Sequence, residues 1–231
     1  MRIRASTHGR GLVVIGLSAV LAGIVAACGG PPAPKDTTAR TRPPTAPVAE
    51  DLKPVEAFAS IADKDARARA LFLEASRVLM HARCVNCHPA GDVPAQGDAL
   101  RAHDPPVVRG PKDEGVVGLE CRSCHQDKNV ELARVPGAPK WHLAPIEMAW
   151  VGKSAAQICE QIKDPKRNGQ KTLAQIAEHS AHDELVAWGW SPGHGRVAAP
   201  GTQAKFGALV QAWIDAGAAC PDASEAREKS R

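Results

Sequence analysis

Two short stretches of this chain share one spacing of reactive side chains, Cys84-Val85-Asn86-Cys87-His88 and Cys121-Arg122-Ser123-Cys124-His125. Two thiols three positions apart reach the two vinyl groups of one porphyrin and form thioethers. A His directly after the second thiol turns under the ring to bind its iron. The competing chemistry is zinc, because two Cys-x-x-Cys pairs also make a four-thiolate site. The histidines separate these readings. With nine His in 231 residues, composition puts a His after both pairs about once in six hundred chances, and only haem attachment requires it. Positions 88 to 120 separate Cys87 from Cys121, a gap of 33 residues, against about 15–20 in a small zinc ribbon. The expected cofactors are therefore two covalently bound haem c groups, with His88 and His125 as proximal ligands.

The sixth position of each iron separates an electron carrier, with both closed, from an enzyme, with one open. His103 lies in "DALRAHDPPVVRG", where Asp104-Pro105-Pro106 rule out a helix and favour a rigid loop. His142 lies in a second proline-bracketed segment, "PGAPKWHLAPIEMAW". These two are the expected distal ligands. His179 and Met148 rank next; Met ligation would raise the reduction potential relative to two His. The plainer roles are a pocket wall for His103 and His142, a solvated helix face for His179 with His182, and a core side chain for Met148. His81, three residues before the first motif, could also reach a neighbouring haem.

Helices must hold these groups. In "DKDARARALFLEASRVLMHARC", Ala68, Leu71, Phe72, Ala75, Val78 and Leu79 recur with a helical period that leads into the first motif. Residues 89–118 are rich in Gly, Pro and Asp and have no period, which predicts a loop packed on cofactor. Ser154 with Gln157 forms a capping box opening a helix over Ala155 to Lys163, and Thr172 with Gln175 opens another. Thr202 starts a last helix, with Phe206, Leu209, Val210, Trp213 and Ile214 as its apolar stripe and Gly217 as its stop. Cys159 and Cys220 remain as a pair and are expected to form a disulfide in an oxidising compartment.

The compartment follows from the other end. Arg2, Arg4 and Arg10 precede an apolar run from Gly11 to Ala27 that is short for a membrane span. Residues 1–27 read as an export signal. Its end, Val25-Ala26-Ala27-Cys28, resembles a bacterial lipobox, which implies lipidation at Cys28 and a membrane anchor. Gly29, where Asp would signal inner-membrane retention, implies the periplasmic side of the outer membrane. Residues 28–54 are proline-rich and poor in large apolar side chains, so an extended tether is expected. A single domain over 55–221 and a flexible tail over 222–231 complete the organisation. A formal charge of +4 without a basic stripe excludes nucleic acid as an evident partner. Tyr is absent and Phe and Trp are few, so a planar cofactor would supply missing core area.

The segments "RCVNCHPAGDVPAQGD", "LECRSCHQDKN", "PGAPKWHLAPIEMAWVGKS", "ICEQIKDPKRNGQKT" and "LVAWGWSPGHGRVAAPGTQAKFGALVQAWIDAGAACP" together resemble a family of exported bacterial dihaem c-type cytochromes. Members are sometimes labelled isoquinoline 1-oxidoreductase subunits. The resemblance implies a mainly α fold, a small dihaem cytochrome c domain with long haem-wrapping loops and a C-terminal helical part. It also implies a non-enzymatic role, carrying single electrons from a periplasmic dehydrogenase or hydroxylase toward the respiratory chain. The alternative is a peroxidase-like dihaem enzyme with one open iron.

Overall fold

A computed structural model describes residues 51–222. The expected export signal, the lipidation site Cys28, most of the tether and nearly all of the tail lie outside the described residues.

Helix α1 (Lys64–Leu79) begins where Asp63 is extended and its carboxylate accepts the Ala66 N–H at 2.6 Å. That bond satisfies an orphan donor of the first turn. The six apolar residues named above are all buried, as their spacing predicts. The helix does not continue into the first motif. The chain turns at Met80, and His81 caps a separate one-turn helix, α2 (Ala82–Val85), its Nδ1 accepting the Arg83 N–H at 3.3 Å. His81 thus has a local structural job.

The stretch from 89 to 120 is irregular except for two tiny antiparallel hairpins. β1 (Ala95–Gln96) pairs with β2 (Arg101–Ala102), and β3 (Gly115–Val116) with β4 (Leu119–Glu120). Buried Arg109 gathers this stretch. Its guanidinium donates to Asp113 Oδ1 at 2.5 Å, to the Ala144 carbonyl and to the Gly91 carbonyl at 3.4 Å. The second thiol pair follows on the one-turn helix α3 (Cys121–Cys124).

Helices α4 (Ala155–Lys163) and α5 (Leu173–His182) start at the two expected capping boxes, with both reciprocal hydrogen bonds formed in each. After the short α6 (Glu184–Ala187), α7 (Gln203–Asp215) runs from its Thr202 cap and stops before Gly217 at φ +96°, a conformation only Gly adopts freely. The architecture is mainly α, as expected.

Helix α7 packs against both α1 and α5. Trp213, fully buried, meets Phe72 at 5.0 Å between ring centres and donates its indole N–H to the Ala219 carbonyl at 3.0 Å. Gly207 lets α7 approach α5: a Cβ there would lie 2.6 Å from Ala181 Cβ and 2.7 Å from its Cα. Since one contact is backbone, Gly207→Val is expected to cost about 1–3 kcal/mol by overpacking, seen as a lower urea midpoint at unchanged slope.

Cys159 and Cys220 form the expected disulfide, closing a loop with a sequence separation of 61 and contributing about 4 kcal/mol in the chain-entropy estimate. Leu52 departs from expectation. Assigned to the tether, it is 2% exposed, between Asp51 paired with Lys205 and a Lys53 N–H donated to Glu74 at 3.0 Å. The folded part therefore starts by residue 51. Among the described residues no helix is long and apolar enough to cross a membrane.

Candidate cofactor sites at the two Cys-x-x-Cys-His motifs

The two motif histidines are built alike. His88 Nδ1 lies 2.7 Å from the Met148 carbonyl, and His125 Nδ1 lies 2.7 Å from the Pro136 carbonyl. A carbonyl only accepts, so each Nδ1 carries the proton and each Nε2 keeps its lone pair for a metal. Each ring also lies flat on a tryptophan: His88 on Trp150 at 3.4 Å and 5°, His125 on Trp141 at 4.5 Å and 9°. One segment, 136–150, supplies both carbonyls and both indoles. Orientation by a partner on the second ring nitrogen is how ligating histidines are held. Burial pushes the His88 pKa down to about 3, against the smaller upward effect of its carbonyl bond. Burial likewise lowers that of His125. Both rings favour the neutral form that binds metal.

The first motif opens on a cavity of about 1000 Å³ counted out to its mouth, with Cys84, Cys87 and His88 on one wall and Trp188, Trp190 and Phe206 among its apolar lining. Burial pushes the thiols of Cys84 and Cys87 up to about 12 and about 11. His142 and His179 line the same cavity, and both add to the electrostatic lowering of His88, after burial and less than it. His142 Nδ1 is tied to the Lys140 carbonyl at 2.5 Å, and His179 Nδ1 to Asp183 Oδ2 at 3.2 Å, so each has a free Nε2. Met148 is buried and reaches the cavity, but its carbonyl holds the back of His88, which puts its backbone behind the ring and away from the metal-binding nitrogen.

The second motif sits at the surface, with Cys124 exposed and Cys121 half-buried. Its flanks carry exposed apolar side chains, Val117 and Leu119 before it and Val130 and Leu132 after it, which a planar apolar group seated there would cover. Facing His125 is His103, at 5.9 Å between ring centres and 73° between planes. His103 Nδ1 is tied to the Pro105 carbonyl at 2.8 Å, so its Nε2 is free. A metal–imidazole bond of about 2 Å and roughly 1 Å from nitrogen to ring centre put two rings on opposite sides of one ion roughly 6 Å apart. The observed separation is of that length.

The two sites share a wall. Trp141, under His125, meets Trp188 of the first cavity edge-on at 5.0 Å. Four of the five tryptophans serve the two sites, Trp141 by stacking and Trp150, Trp188 and Trp190 by lining the cavity. Sequence reasoning missed these roles. The available signal was a chain without Tyr that keeps its Trp near proline-bracketed segments. Among the described residues, no three His, Cys, Asp or Glu side chains converge as a metal cluster. No family model, curated protein or solved structure matches the chain.

Proposed function

We propose that this chain is an exported electron carrier holding two haem c groups, on Cys84, Cys87 and His88 and on Cys121, Cys124 and His125. The observation that carries the reading is the repeated construction of the two motif histidines: a carbonyl-fixed Nδ1, a free Nε2 and an indole under the ring. A porphyrin supplies four of the iron's ligands, so one or two side chains per site suffice. Each bound haem supplies one reversible electron. The protein's residues do the rest: the apolar cavity keeps water from the first site, His103 stands ready to close the second from the far side, and either His142 or His179 closes the first. The shared tryptophan wall brings the sites close, and the exposed second motif is where a redox partner makes contact. Electrons would pass from a periplasmic dehydrogenase or hydroxylase to a respiratory acceptor.

One observation favours a second reading. Two histidines line the first cavity where one ligand is enough, and a spare His could serve a peroxidase-like enzyme as acid or base. Turnover with hydrogen peroxide separates the two: the carrier shows negligible activity, and sustained turnover by wild type would contradict it. Anchoring through Cys28 belongs to the same proposal. Cys28→Ser is expected to move the protein from the membrane fraction to the soluble periplasm with haem content unchanged; a wild type already soluble and unacylated would refute the anchor.

A further inference from the structure

Two buried hydrogen-bond donors in the first cavity have no acceptor: Arg83 Nε and Trp150 Nε1. Arg83 immediately precedes the first thiol, and its side chain is 1% exposed. One terminal nitrogen reaches Asp98, and the guanidinium lies 5.7 Å from the centre of the Trp188 ring. The Asp98 carboxylate is half in solvent, so it compensates the buried cation only partly, and the net effect of burial is to lower the arginine's pKa despite Asp98. A buried guanidinium with an idle N–H is costly unless a further anion meets it. Arg109 Nε also lacks a hydrogen bond, but it is ion-paired with Asp92 at 3.8 Å, and Arg109 does not line the cavity.

We infer that Arg83 is a carboxylate-binding subsite of the first cavity, taking a propionate of the porphyrin attached at Cys84 and Cys87, with Trp150 Nε1 a second unpaired donor on the same lining. The inference rests on the haem reading and adds to it. It fixes which edge of the cofactor points into the protein, and it places one positive charge beside the first haem. A cation there favours the reduced iron, so Arg83 raises the potential of this haem above that of a neutral site.

The test uses the full haem-loaded protein, with redox titration of both haems and resonance Raman bands of the propionate groups. In Arg83→Gln with both haems retained, one haem is expected to become at least tenfold harder to reduce in equilibrium constant, about 59 mV for one electron, and its propionate band to move. The other haem is unchanged. Arg83→Lys keeps the charge but lacks the Nε–H, so the band moves while the potential stays nearer wild type. Unchanged potentials and bands in Arg83→Gln overturn the subsite. Wild-type bands in Arg83→Lys overturn it as well, which covers the case in which the Gln variant does not fold. A colourless wild type would instead remove the haem reading, and this inference with it.

Discussion

His103→Ala is expected to convert one of the two irons from low to high spin and to let it bind carbon monoxide when reduced. The thioethers of Cys121 and Cys124 still hold that haem, so the haem count stays the same and only the sixth position changes. The effect is large because, among the described residues, His103 is the histidine whose ring meets that of His125, at 5.9 Å. The other groups recorded against His125 are the Pro136 carbonyl behind it and the Trp141 indole under it, neither of which is an iron ligand. At the first site, one of His142→Ala and His179→Ala, and not both, is expected to open the iron in the same way. Low-temperature electron paramagnetic resonance of the oxidised variants reads both results. A His103→Ala spectrum that stays fully low-spin would contradict the assignment at the second site.

Cys84→Ala combined with Cys87→Ala is expected to remove one haem and leave the other. The loss falls on the enclosed site, so the fold should suffer too. The cavity lined by Trp188, Trp190 and Phe206 would lose its contents, and lining atoms without partners forfeit their dispersion contacts. The pyridine haemochrome spectrum should fall to half of wild type per protein, with a lower melting temperature. The matching Cys121→Ala and Cys124→Ala change should also halve the haem content but with a smaller thermal effect, because that site is at the surface. Equal thermal losses would contradict the distinction between an enclosed and an open site.

The helical frame was legible because its signals are local. The 3.6-residue period of α1 and the capping boxes at Ser154 and Thr172 act within a few residues of where they are read, and Gly217 marks the end of α7 by its own conformational freedom. The thiol and histidine motifs were legible for the same reason. What holds those histidines was not. The acceptors for His88 and His125 are backbone carbonyls of Met148 and Pro136, and every residue type carries such a carbonyl. His103 could be ranked as a ligand from its proline-fixed loop, but its pairing with His125 depends on how an aperiodic stretch gathers around Arg109. The break between α1 and the first motif was hidden because a His cap at position 81 is not among the usual capping residues. Leu52 was read by its proline-rich neighbours, and only the packed structure shows it buried in the core, with Lys53 and Asp51 beside it tied to α1 and α7.

The central claim is that both motifs carry covalent haem, and the most direct test is the intact mass of the mature protein made in a host able to attach haem c, after acid–acetone extraction. The expected result is a mass two haems above that of the polypeptide and a coloured protein, since thioether bonds survive the extraction. A colourless protein with the bare polypeptide mass, or one that contains zinc bound by the four motif cysteines, would contradict it.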